Sequence, residues 1–173
     1  MKTAIYHKKG VCRRNDYKKA KVTFDNLVSF MRRISIKDQI AAAHKRGASS
    51  QKIQNIILDH ARSDGFDDER EGLFRDYPVN QLRPDYYKSL NGQGKGIILE
   101  VERGKTLKNN MDILDLWKCH ICVHANFLFL IVPVINQRQP SVENVFEPVK
   151  NRMSTFFTDN NNINVDAVFI IGY

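Results

Sequence analysis

Residues 84–102 read Pro84-Asp85-Tyr86-Tyr87-Lys88-Ser89-Leu90-Asn91-Gly92-Gln93-Gly94-Lys95-Gly96-Ile97-Ile98-Leu99-Glu100-Val101-Glu102. Two short extended runs flank a Gly-rich turn, the signature of a β-hairpin. Side chains two apart on a strand share a face, so Glu100 and Glu102 point one way and Val101 the other. A turn centred on Gly92-Gln93 sets Asp85 directly across from Glu100. A turn centred on Asn91-Gly92 pairs Asp85 with Ile98 and leaves Glu100 on the diagonal, on the same face. Both registers gather the three acids. Like charges about 5 Å apart across a sheet are destabilising unless a cation lies between them, and a hard divalent ion with oxygen ligands is the simplest one. In the plainer arrangement, the acids sit on a surface hairpin and pair with Lys88, Lys95 or Arg103 at little energetic gain. Against it, Ile97, Ile98, Leu99 and Val101 mark an inner strand, where acids on one face are costly without a partner.

Working outward, three helices are expected before this hairpin. Thr23 or Asp25 caps the first, with Leu27, Val28, Phe30, Met31 and Ile34 on one side. The second starts at Ser35 and ends near Gly47, and the third is capped by Ser49 or Ser50 and carries Ile53, Ile56, Ile57 and Ala61 to a stop at Gly65. Short extended runs follow around Leu73-Phe74 and Leu82 to Leu90. After the hairpin, a helix is expected from Asn110 to Ala125 with Met111, Leu114, Trp117, Ile121 and Ala125 as its buried stripe. Phe127 to Val134 reads as a strand buried on both faces, Val142 to Phe157 as a helix and Val165 to Ile171 as a last strand. This order predicts an α/β fold, a mixed central sheet flanked by helices, with the acids at one edge of its core.

The chain has 173 residues, 42% of them hydrophobic, enough for one core and too few for two. Its net charge of +8 is concentrated: Lys2, Lys8, Lys9, Arg13, Arg14, Lys18, Lys19 and Lys21 stand against the single acid Asp16, which leaves the remainder close to neutral. Residues 1–21 therefore read as a basic N-terminal arm, residues 22–48 as a helical extension and 49–173 as the α/β domain. Clustered Lys and Arg on such an arm attract phosphates in a salt-sensitive way, so Lys8, Lys9, Arg13, Arg14, Lys18, Lys19 and Lys21 are the expected nucleic-acid contacts. A solvated leader is the alternative. The most apolar run is strand-sized, no apolar signal segment opens the chain, and three cysteines show no framework spacing. The expectation is a cytoplasmic protein with no membrane contact.

Pro84-Asp85, a fourteen-residue gap, and Glu100-Val101-Glu102 at the end of an apolar strand, followed by a helix and a second apolar strand, resemble the PD-(D/E)xK nuclease superfamily, the restriction-endonuclease-like fold. The resemblance covers roughly residues 50 to 173. It implies that Asp85 and Glu100 bind Mg²⁺ or Mn²⁺ and that Glu102 stands where a Lys that activates the attacking water is usual. Lys105, in Arg103-Gly104-Lys105-Thr106, then returns a cation, and Glu71, in Asp67-Asp68-Glu69-Arg70-Glu71, adds a further metal ligand. The implied function is a metal-dependent endonuclease acting on DNA, with a homodimer joined through residues 22–47 for cutting both strands. The alternative is a catalytically inactive nucleic-acid-binding or assembly module on the same fold, which the Glu at 102 keeps open.

Cys119-His120-Ile121-Cys122-Val123-His124 invites a zinc reading, but both cysteines fall in the expected helix and no second pair has zinc spacing. Core packing of Cys122 with partly exposed His120 and His124 is the expected state. Trp117 is expected as a core anchor, and Asp112 and Asp115 as acids favoured by the dipole of the early helix turns.

Overall fold

A computed structural model describes residues 1–45, 49–79, 82–90, 95–138, 141–159 and 161–173. The strands are β1 (Lys2–His7), β2 (Asp67–Asp68), β3 (Tyr86–Ser89), β4 (Gly96–Val101), β5 (Phe127–Val132), β6 (Ile135–Arg138), β7 (Ser141–Asn144) and β8 (Ala167–Gly172). The helices are α1 (Asn15–Met31), α2 (Ile34–Ala43), α3 (Gln51–Ser63), α4 (Met111–Ile121) and α5 (Phe146–Thr155). Six strands form one sheet in the order β1-β8-β5-β4-β3-β2, and β6 and β7 make a separate hairpin. β4, β5 and β8 run parallel, while β1, β3 and β2 join antiparallel at the two sides. The mixed sheet between helices is therefore present.

The parallel strands form the centre because every residue of Ile-Ile-Leu-Glu-Val, Phe-Leu-Phe-Leu-Ile-Val and Ala-Val-Phe-Ile-Ile-Gly is buried. Burying each large apolar side chain contributes roughly 1.5–3 kcal/mol. One face packs Ile97, Leu99, Phe129 and Phe169 under α1, α2 and α3. The other packs Ile98, Leu128, Leu130 and Ile170 under α4 and α5.

Tyr86 pairs with Leu99 and Tyr87 with Ile98, the register that sets Asp85 opposite Glu100. The turn Asn91-Gly92-Gln93-Gly94 and the helix stop at Gly47 lie outside the described residues. Gly96 is where the hairpin meets its neighbours closely: a Cβ there would lie 2.6 Å from the Tyr87 ring and 2.7 Å from the His124 carbonyl oxygen.

Several expectations need correction. Residues 1–21 are not a separate arm: Lys2–His7 is a strand of the main sheet, and α1 begins at Asn15. Tyr17, Ala20, Phe24, Leu27, Val28 and Met31 recur at helical spacing and anchor α1 in the core, so the boundary drawn at 21 falls inside one helix. Residues 22–48 likewise pack on the same core rather than extending from it. Gly72–Phe74 is a 3₁₀ turn, and the expected helix from Val142 begins only at Phe146, after the β6-β7 hairpin.

Candidate functional site

β4 ends at Val101, and the chain crosses over through α4 to return as β5, parallel to it. α4 therefore lies over the face that carries Ile98 and Glu100. It turns Asp112, Asp115, Leu116 and Cys119 towards the sheet, while Leu114, Trp117 and Ile121 remain about half exposed. The buried stripe expected from periodicity is thus the outward one, and Trp117 is no core anchor.

Charge explains this orientation. Lys118 Nζ donates to Glu100 Oε1 at 2.6 Å and lies 3.7 Å from Asp115 Oδ1. Asp85, at the start of β3, accepts the Val101 N–H through Oδ2 at 2.8 Å, and its own N–H donates to Glu100 Oε2 at 3.4 Å. Asp112 accepts from Arg152 at 3.0 Å. Asp112 Oδ2 and Asp115 Oδ2 are buried without a hydrogen-bond partner. Asp85 opens onto a cleft of about 210 Å³ between the first half of α3 and residues 68–70.

Four carboxylates around one ammonium cannot all stay ionised cheaply. Burial, then Asp115 and Asp85, push Glu100 well above the usual glutamate range against the pull of Lys118. Burial also raises Asp115 well above its ordinary value, with Lys118 opposing and Glu102 and Asp85 adding. Asp85 is raised by burial, although the Val101 N–H and Lys118 oppose it. Glu102 is pushed up to about 7 by burial, Glu100 and Asp85. Burial acts to lower Lys118, yet Glu100 and Asp115 carry it up to about 12. Burial thus works against ionising all of these carboxyls together, while Glu100 and Asp115 hold Lys118 in its charged form.

Asp85, Glu100 and Glu102 come together as the hairpin register predicts. Lys105 and Glu71 do not join them. Lys105 is exposed in the turn after β4, and exposed Glu71 accepts from Arg62 at 2.8 Å. Glu69 lines the Asp85 cleft and bears on Asp85 electrostatically, so the acid that the 67–71 segment offers the site is Glu69. The cation comes instead from Lys118, which the sequence reading missed, beside Asp115, which it read as an acid suited to the early helix turns. The signal for them was the i, i+3 spacing of Asp112, Asp115 and Lys118 on the helix that covers the acid-bearing strand.

The expected basic contacts are not on a mobile segment. Lys9, Arg13, Lys18 and Lys19 are exposed. Lys8 and Arg14 pair with Asp166 at 3.5 and 2.7 Å, Arg14 also with Asp16, and Lys21 with Asp25 at 2.6 Å. His7 pairs with Ala167, so this group sits at the amino ends of the parallel strands, the opposite end from Glu100.

In the Cys-His segment it is Cys119, not Cys122, that is fully buried, and His120 Nδ1 accepts the Asn164 N–H at 2.9 Å.

The donor set fits a hard cation in its chemistry: oxygen atoms, excess negative charge and an unpartnered carboxylate oxygen on Asp115. Among the described residues, no three His, Cys, Asp or Glu side chains already form a cage for an ion. Asp85 and Glu100 are the residues that would hold one, with Asp115 beside them. Comparison with protein-family models, curated proteins and solved structures finds no match for this chain. Among the described residues, no helix is long and apolar enough to cross a membrane.

Proposed function

We propose that this chain is a metal-dependent endonuclease that hydrolyses phosphodiester bonds in DNA, on a restriction-endonuclease-like fold. The observation that carries this reading is the gathering of acids at the carboxyl end of β4: Glu100 and Asp115 on Lys118, Asp85 on the Val101 N–H beside a cleft, and Glu102 within electrostatic reach of them. Such hydrolysis needs an in-line water, relief of charge on the phosphoryl oxygens and a group that takes a proton. Asp85 and Glu100 hold the ion, which when bound supplies Lewis-acid polarisation of the phosphate and of a water. Glu102 titrates near neutrality, which suits a proton acceptor at working pH. Lys118 stays cationic and offsets phosphate charge, the part a Lys at 102 would otherwise take. Cutting both strands of a duplex calls for two such sites, so a homodimer is the active form in this reading.

The test is incubation of the purified protein with Mg²⁺ or Mn²⁺ and labelled plasmid, beside Asp85→Asn, which retains an oxygen acceptor for the Val101 N–H. Metal-dependent nicking that falls at least about a hundredfold in the variant supports the enzyme. Lys118 already neutralises Glu100 at 2.6 Å, and this favours a second reading, an inactive nucleic-acid-binding module. DNA binding with no cleavage at any metal concentration would decide for that module.

A further inference from the structure

Two concavities lie along β3, one against α3 and the other against α1. One is the acid cleft at Asp85 and Tyr86, lined by Gln51, Gln54, Asn55 and Leu58 from the first half of α3. The other, about 440 Å³, sits at the far end of the same strand, between α1 and Lys88-Ser89-Leu90, with Asp64 from just beyond α3. Both open on the side of the sheet that α1 and α3 cover. From Asp85 to Ser89 is four strand residues, about 13 Å.

The second groove differs from the first in charge. Lys18 and Lys19 stand on its rim, Val22 and Leu90 supply apolar wall, and Lys95 lies nearby through its contact with Asp16 at 3.7 Å. Its acid is already committed: Asp64 lies 3.6 Å from Lys88, whose Nζ also donates to Thr23 at 3.0 Å. The rim lysines are mounted on a helix whose opposite side is core, so their positions are preset rather than gathered on binding.

We propose that the α1–β3 groove is a second, non-catalytic contact for the nucleic-acid backbone, holding the substrate about 13 Å away from the phosphate presented to Asp85. The role of the acid cleft rests on the function proposed above; binding at the groove does not. A nucleic acid is the occupant that the charge pattern favours, because it alone carries phosphates at a regular spacing long enough to bridge a basic groove and a cation-loaded acid cleft along one strand. The exposed basic residues Lys9 and Arg13, at the same end of the sheet, extend the surface for longer substrates.

The test is Lys18→Glu, an exposed position whose change leaves the core intact, with Lys18→Ala/Lys19→Ala as the second variant. Binding of a fluorescent duplex several turns long is measured by anisotropy over a range of salt, without divalent metal. Expected is a five- to twentyfold weaker affinity for Lys18→Glu, with the slope of log K against log salt reduced by about one to two. Unchanged affinity and slope in both groove variants would overturn the proposal. So would loss of binding to phosphatidylserine vesicles with DNA binding untouched, which would make the surface a membrane contact. The two readings fail separately. Cleavage with groove variants that bind normally sinks the groove alone, and groove-dependent binding without cleavage sinks the enzyme alone.

Discussion

Helices α3 and α4 cover opposite faces of one sheet with opposite polarity. α3 turns Ile53, Ile57 and Ala61 inward and leaves its polar residues to solvent, as an amphipathic helix should. α4 turns Asp112, Asp115 and Lys118 towards the sheet and leaves Leu114, Trp117 and Ile121 with 52%, 59% and 45% of their surface exposed. Rotating α4 to bury its apolar stripe would gain on the order of 1 kcal/mol for each of those side chains. The same rotation would strip Glu100, itself only 3% exposed, of its ammonium partner at the middle of a buried sheet, a loss of about 3–5 kcal/mol. The pairing wins. Hydrophobic burial alone orients α3; on α4 the pairing with a carboxylate on β4 acts together with the burial of Leu116 and Cys119.

The largest expected effect sets these two kinds of anchor against each other. Lys118→Met should cost about 3–5 kcal/mol at about pH 8, because Glu100, Asp115 and Asp85 lose the cation that opposes their repulsion. The loss should shrink as pH falls towards about 5, because carboxyls raised by burial take up protons sooner than free ones do. Ile57→Ala, a truncation of a side chain with no exposed surface, should cost about 2–4 kcal/mol at both pH values. Urea unfolding of the two variants at the two pH values checks the contrast, and equal losses for Lys118→Met at both would mean that the acids around it do not change charge over that range.

A smaller effect should come from Glu102. Its folded-state pKa, about 7, lies above the ordinary 4.5, so its contribution to stability is fully present below about pH 4.5 and lost as pH rises through 7. Glu102→Gln removes that loss. The variant should match the wild type near pH 5 and exceed it by about 1–2 kcal/mol at pH 8, because water reaches part of the side chain and screens its repulsion from Glu100. In the nuclease reading the same variant loses activity while gaining stability, the exchange expected of a strained catalytic carboxylate. Thermal melts across this pH range provide the check. A variant less stable at pH 8 would mean that Glu102 is held by a favourable partner.

Where the sequence was legible, one kind of force acted alone. The apolar runs that became β4, β5 and β8 could take no other place than a sheet buried on both faces. The hairpin spacing put Asp85 and Glu100 on one face in either register, because strand periodicity does not depend on what packs above it. α3 was legible for the same reason, its Ile53 and Ile57 answering to burial and nothing else. β1 was not, because Lys2–His7 is an edge strand whose lysine and histidine read as part of a charged leader, and its partner is the far C-terminal strand β8. The lysines of α1 likewise drew attention from Tyr17, Ala20 and Phe24, which carry its helical stripe. α4 was misread because periodicity records which residues share a face, not which face is turned inward, and the deciding contact from Lys118 to Glu100 spans eighteen residues.

The finest test of the comparison is Trp117. A tryptophan in a core typically costs about 3–5 kcal/mol when truncated, whereas substitutions at exposed positions away from special contacts stay within about 0.5 kcal/mol. Trp117 is 59% exposed and, among the described residues, its ring neighbour is His120, with centroids 4.9 Å apart. Trp117→Ser should therefore unfold at nearly the same urea concentration as the wild type, and the fluorescence of this single tryptophan should be readily quenched by a small polar quencher in the folded protein. A loss above about 2 kcal/mol, with shielded fluorescence, would place the Leu114-Trp117-Ile121 stripe against the sheet. Lys118, one residue on and about 100° around the helix, would then turn away from Glu100, and the acid cluster would be left to find its counter-ion elsewhere.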